Sequence, residues 1–183
     1  MPLGREVCDA LADFHAEFRE SGDGSGALAA AERHGYRGLD GYIEFWTKLA
    51  TDAPRPEGYV KTNTWLLLRG ERVIGEVRLR HTLTPRLEED GGNIGYSVRA
   101  SERNKGYATY LLRETLKRAA ALGLKRALVT IEATNGSSLR VAEKCGGLRI
   151  ADVVAEDGVL LRRFWLSTMD LGADAHDRHP SGR

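Results

Sequence analysis

The sequence predicts an α/β chain of the α+β kind, helical in its first third and then built on a mixed, mostly antiparallel sheet flanked by helices. Three observations carry this reading: helical apolar spacing up to residue 49, a change to β-branched and aromatic runs from residue 64, and one long amphipathic segment after residue 106 that separates strand-like runs. At 183 residues, 42% hydrophobic and 29% charged, the chain has apolar material for one core and too little length for two comfortable domains. A single domain over residues 1–171 is expected, followed by a flexible polar tail at 172–183.

Taken in order, Val7, Leu11, Phe14 and Phe18 recur at helical spacing, and the Ser/Gly/Asp run at 21–26 ends that helix. Residues 27–34 and 39–49 read as two further helices, the second carrying Tyr42, Phe45, Trp46 and Leu49 on one face before Pro54 and Pro56. Residues 64–69 and 72–80 are strands joined tightly through Gly70 and Glu71, as in a hairpin. A polar loop at 82–92, with Pro85 and the acidic run Glu88, Glu89 and Asp90, leads into a strand at 93–98. Ala108, Leu111, Leu112, Leu116, Ala119 and Leu122 fall on one helix face that Gly123 closes. Residues 125–131 form a strand, Asn135 caps a short helix ending at Gly146 and Gly147, and 148–155 with 159–166 make a last hairpin about Asp157 and Gly158.

Charge and cysteine content exclude several classes. With 27 Lys+Arg against 26 Asp+Glu, the net charge of +1 advertises neither nucleic acid nor an anionic membrane. The two cysteines, Cys8 and Cys145, are far apart and match no metal or disulfide spacing, which fits a reducing cytoplasm. The N-terminus alternates charge where a signal peptide would be apolar, and no apolar run could span a bilayer, so a soluble, unexported protein is expected. His176 and His179 are two ligands at most, so no metal is expected. Neither Gly-x-x-x-x-Gly-Lys-[Ser/Thr] nor an N-terminal Gly-x-Gly-x-x-Gly is present, which argues against the nucleotide folds those motifs mark.

The chemistry concentrates at Arg103, Asn104, Lys105, Gly106, Tyr107 and Ala108. A loop entering a helix supplies converging N–H donors and the positive end of the helix dipole, which together suit a pyrophosphate. Gly106 lets the backbone approach closely, small Ala108 leaves room, and Arg103 with Lys105 adds charge at the rim.

This stretch resembles the GNAT acyltransferase superfamily, whose signature [Gln/Arg]-x-x-Gly-x-[Gly/Ala] lies between the fourth strand and the next helix. A second element agrees: Asn135-Gly136-Ser137-Ser138 with Glu143-Lys144-Cys145-Gly146 resembles the family's Asn-x-x-Ser and Glu-Lys-x-Gly about thirty residues on. The likeness covers residues 64–166, the acyl-CoA-binding core, and leaves 1–60 as a helical region on the acceptor side. It implies a twisted sheet splayed after strand 4, with acetyl-CoA as co-substrate and its pantetheine between the strands at 93–98 and 125–131. The backbone of Tyr96, Ser97 and Val98 would then pair with pantetheine amides, and Asn135 would reach pantetheine, cap its helix, or do both. A homodimer is compatible with the resemblance, the closing hairpin offering an edge.

The implied reaction is direct attack of a primary amine, of a small molecule or a peptide, on the thioester. It needs an oxyanion donor, a proton for the departing thiolate and a sink for the amine proton. Many relatives supply the thiolate proton from a tyrosine seven residues after the asparagine; here that position is Ala142. Ser138 is the nearest substitute, with Tyr96 and Tyr110 behind it, and Glu76, His81 and Glu132 are the candidate bases. The missing tyrosine keeps open a second reading, an acyl-CoA-binding module with little turnover.

Overall fold

The computed structural model describes residues 1–21 and 26–169, so the expected flexible tail lies outside the described residues. After a 3-10 turn at Arg5–Val7, the helical third contains α1 (Cys8–Glu20), α2 (Gly26–Arg33) and α3 (Gly38–Leu49). The rest follows as β1 (Thr62–Arg69), β2 (Arg72–Arg80), α4 (Pro85–Glu89), β3 (Ile94–Val98), α5 (Tyr107–Ala121), β4 (Arg126–Glu132), α6 (Gly136–Lys144), β5 (Leu148–Val154) and β6 (Leu160–Ser167). Every expected helix and strand is present. The loop at 82–92 holds one that periodicity could not show, because α4 has five residues and buries none. Its local signal is chemical: Thr84 Oγ1 accepts the Leu87 N–H at 3.3 Å and Pro85 stands in the first turn.

The strands form two antiparallel sheets, ordered β1-β2-β3 and β4-β6-β5. Residues 1–3 lie along the free edge of β1, where Pro2 bridges Trp65, Leu3 N–H donates to Thr64 O at 3.3 Å and Leu66 N–H donates to Met1 O at 2.8 Å. With that extension counted first, the break between β3 and β4 falls after the fourth strand.

Helices cover the first sheet on both sides. Phe14 and Phe18 of α1 pack with Tyr42, Phe45 and Trp46 of α3 over Leu66 and Val73, while Leu111, Leu112 and Leu116 of α5 pack on Val77, Leu79 and Ile94. Each fully buried Leu or Phe contributes about 1.5–3 kcal/mol, so the amphipathic stripes of α1, α3 and α5 hold the layers together. A bulge opposite Leu67 and Leu68 places Ile74 as an extra residue in β2, so that Val73 enters the α1–α3 core and Ile74 the α5 core. α6 adds Leu139 and Ala142 on the α5 side.

Because β2 is covered on both faces, its polar residues Glu76 and Arg78 are buried too. Glu76, 1% exposed, accepts a short hydrogen bond from the Tyr42 hydroxyl and pairs with Arg78 Nη1 at 3.1 Å. The Arg78 guanidinium stacks on Trp46, 5.0 Å from the ring centre. Burial pushes the Glu76 carboxyl up, but the Arg78 charge and the Tyr42 hydrogen bond outweigh it and hold it below the usual carboxylate range.

Asn93, just before β3, joins the two sheets. Asn93, 3% exposed, donates its N–H to Leu128 O at 2.7 Å and accepts the Leu128 N–H on Oδ1 at 2.8 Å. Its Nδ2 donates to Arg80 O at 3.1 Å, which ties the same residue back to β2. Gly92 makes the approach possible: its φ is +58°, and a Cβ there would lie 2.5 Å from Leu128 O. Gly91 N–H to Thr130 Oγ1 at 2.9 Å and Arg163 Nη1 to Glu88 O at 3.0 Å dock the α4 loop on the second sheet. No helix among the described residues is long and apolar enough to cross a membrane.

Two outcomes follow. Asn93→Ala leaves the buried Leu128 N–H and Arg80 carbonyl without these partners and should lower unfolding stability by about 1–3 kcal/mol in urea titrations. Glu76→Gln should cost about 3 kcal/mol at neutral pH, since it leaves the Arg78 charge buried without its carboxylate. A depressed carboxyl contributes stability that is fully present above its ordinary value of 4.5 and is lost as pH falls through its lower folded value. Stability measured against pH should therefore decline less steeply on the acid side of 4.5 in the Gln variant than in the wild type.

Candidate active site

From the Asn93 junction β3 and β4 diverge, and their C-terminal ends border a cleft of about 650 Å³ that also takes in the starts of α5 and α6. Tyr96, Ser97 and Val98 line it from β3 and Glu132 from β4. Among the described residues the edge of β3 away from β2 has no ladder partner, so its backbone groups can pair with amides of a bound chain.

The start of α5 borders the cleft. Gly106 is the N-cap at φ +86°, Asn104 before it has φ +61°, and no side chain caps the helix. Among the described residues nothing lies within 4 Å of where a Gly106 Cβ would be, so the backbone is open on the cleft side. The first N–H groups of the helix have no intrahelical acceptor, and with the helix dipole they favour a phosphate. Tyr107, Ala108 and Thr109 line the cleft beside them.

The two expected rim cations are committed to the loop itself. Lys105 Nζ binds Glu102 at 2.9 Å and Ser101 O at 3.1 Å, while Arg103 Nε donates to Val98 O at 3.3 Å and its guanidinium lies 5.7 Å from the Phe18 ring centre. Glu102, 3% exposed, also holds Arg69 at 2.7 Å and Arg72 at 3.5 Å; the Lys105 hydrogen bond and the Arg69 charge keep its carboxyl below the usual range. Arg69 Nη1 donates to the Tyr107 hydroxyl at 3.2 Å, so the β1–β2 hairpin clamps the loop from below. Arg99 is fully buried and pairs with Asp13 and Glu17 of α1, each at 2.8 Å, while Glu17 accepts the Ser101 N–H at 2.7 Å.

Arg140 and Lys144, one turn apart on α6, line the cleft as further cations. Sequence reasoning passed over them; their i,i+4 spacing on the helix that Asn135 starts was the available signal. Phe18 of α1 also lines the cleft, and nothing local in the sequence marks it.

Asn135 caps α6, its Oδ1 accepting the Ser138 N–H at 3.1 Å, and both residues line the cleft. Glu132 and Ser138 are thus brought together with Tyr96. Glu76 is not in the cleft: it stands opposite Ser97 in the β2–β3 register, with its carboxylate in the buried group under Tyr42. His81 also stands elsewhere, just beyond β2, its Nε2 2.7 Å from Asn63 Oδ1; partial burial and then Lys61 and Arg55 lower its pKa. Tyr110 lies on α5 outside the cleft lining, and Ala142 is buried in the core. Among the described residues no group of three or more His, Cys, Asp or Glu is placed to hold a metal ion.

Residues 15–147 match the family model for the acetyltransferase (GNAT) domain. No curated protein matches the chain in sequence. Among solved structures, an N-acetyltransferase from Staphylococcus aureus Mu50 is similar with a TM-score of 0.62 at 19% identity, over 92% of this chain and 96% of that one. YncA, a putative acetyltransferase from Salmonella typhimurium solved with its cofactor acetyl-CoA, gives 0.60 at 15% identity over 94% of each chain. RimL, a ribosomal L7/L12 α-N-protein acetyltransferase, gives 0.65 at 13% identity over 91% of this chain and 87% of that one. With the family model spanning most of its length, the chain belongs to the GNAT acetyltransferase family and is an acetyltransferase that uses acetyl-CoA as co-substrate.

Proposed function

We propose that the protein transfers the acetyl group of acetyl-CoA to a primary amine of a small molecule or peptide by direct attack on the thioester. The observation that carries this reading is the uncapped start of α5, which opens into the same cleft as Glu132, Ser138 and the free edge of β3. In that arrangement the N–H groups from Gly106 onward take the pyrophosphate, and Arg140 with Lys144 adds positive charge nearby. The β3 edge at Tyr96, Ser97 and Val98 aligns pantetheine, which brings the thioester toward Glu132.

Two carboxylates line the cleft. Glu102 is taken up by Arg69, Arg72 and Lys105, which leaves Glu132 to accept the amine proton. One exposed carboxylate suits an acceptor of modest basicity. A lysine side chain costs about 4–5 kcal/mol to hold neutral at pH 7, whereas an α-amine costs about 1 kcal/mol.

Acetyl-CoA should raise the melting temperature of the wild type and fail to do so for Gly106→Trp, whose side chain fills the phosphate approach, with circular dichroism checking that the variant is folded. Thiol release should appear with a member of a panel of amines, and Glu132→Gln should lower kcat about 100-fold or more with acetyl-CoA affinity retained. Binding without thiol release for any amine would favour the module with little turnover; no binding at all would sink the reading.

A further inference from the structure

The reaction needs a proton donor at the sulfur, and α6 does not supply a tyrosine for it. The position seven residues after Asn135 is Ala142, which is wholly buried in the core. Tyr96 comes to that region from the opposite wall. Strand alternation puts its side chain on the α5–α6 face with Ile94 and Val98, and its ring packs against the same core cluster that contains Ala142, as do Val141 and Cys145. Its hydroxyl is buried yet makes no hydrogen bond to any described residue. Ser138, on the first turn of α6, is the polar neighbour that acts on it, short of hydrogen-bonding geometry. Apart from Ser138, no described residue offers this buried hydroxyl a partner, which calls for a reason, and the hydroxyl belongs to a residue that lines the cleft.

Resting on the acetyltransferase reading of this cleft, we propose that Tyr96 is a catalytic residue whose O–H donates to the coenzyme A sulfur as the carbon–sulfur bond breaks. The amine nitrogen forms a bond to the thioester carbon, and the resulting oxyanion collapses to a carbonyl. The carbon–sulfur bond breaks with both electrons on sulfur, and sulfur takes the phenolic proton. Glu132 takes the proton lost by nitrogen and releases it to solvent, from which the phenolate recovers its own; the products are an amide and a free thiol. Burial pushes the Tyr96 pKa up to about 12, with Ser138 pulling the other way, so the phenol remains protonated at neutral pH. The same desolvation bears on a thiolate formed beside it and favours placing the proton on sulfur.

The test reads the sulfur directly and needs no acceptor. Free coenzyme A is bound to wild type, Tyr96→Phe and Ser138→Ala, and the thiol of the bound ligand is titrated by thiolate ultraviolet absorbance. Loss of the donor should raise the bound thiol pKa in Tyr96→Phe by about one unit, a tenfold change in ionisation, with coenzyme A affinity within about threefold of wild type. The shift in Ser138→Ala should be smaller. A merely structural tyrosine would change melting temperature without moving the thiol. An unmoved thiol pKa in Tyr96→Phe overturns the role of Tyr96 alone, whereas failure of the wild type to bind coenzyme A overturns the reading of the cleft on which it rests.

Discussion

The contact between Asn93 and Leu128 is the constraint from which the architecture of the site follows. A full ladder between β3 and β4 would fill the gap with backbone hydrogen bonds and leave no cleft. Asn93 instead satisfies both polar groups of Leu128 within one residue, through its own N–H and its Oδ1, so the sheets are joined at this residue. Beyond that junction no ladder pairs β3 with β4 among the described residues, and the C-terminal ends of both strands line the cleft. Gly92 is part of the same device, since any side chain there would collide with the Leu128 carbonyl.

A second set of interactions gives the opened end its shape. Arg99 and Glu102, both buried, lie on either side of the turn that leads from β3 to α5. Arg99 links this turn to α1 through Asp13 and Glu17; Glu102 links it to the β1–β2 hairpin through Arg69 and Arg72. Buried charges of this kind are costly unless paired, and here the pairing fixes the path of a loop that borders the cleft. Lys105 and Arg103 are engaged within the loop itself, while the start of α5 and the α6 cations Arg140 and Lys144 line the cleft.

In the mechanism we propose, the chemical roles at the cleft fall to three elements that line it: Glu132 at the end of β4, Ser138 on α6 and Tyr96 on β3. Ala142 is small and buried, and a tyrosine ring from the facing strand packs on the same cluster. Side chains from different elements can occupy equivalent space around a cleft because catalysis depends on where an atom lies, not on which segment carries it.

Much of this was legible along the chain. Helical periodicity located α1, α3 and α5, β-branched runs located the strands, and Gly106 and Asn135 announced two helix starts, because each of these signals is local and repeats with the geometry of its element. The motif pair at 103–108 and 135–146 likewise located the two helix starts that border the cleft, since a turn into a helix needs specific residues at specific positions. The same periodicity could not say which faces would be covered. Glu76 reads as a strand residue open to chemistry, but helices on both sides of β2 bury it with Arg78 and Tyr42, and His81 is turned toward Asn63. The convergence of Phe18, Arg140 and Lys144 on one cleft, and the burial of the Tyr96 hydroxyl, were settled by packing between segments distant in sequence, for which no local pattern exists.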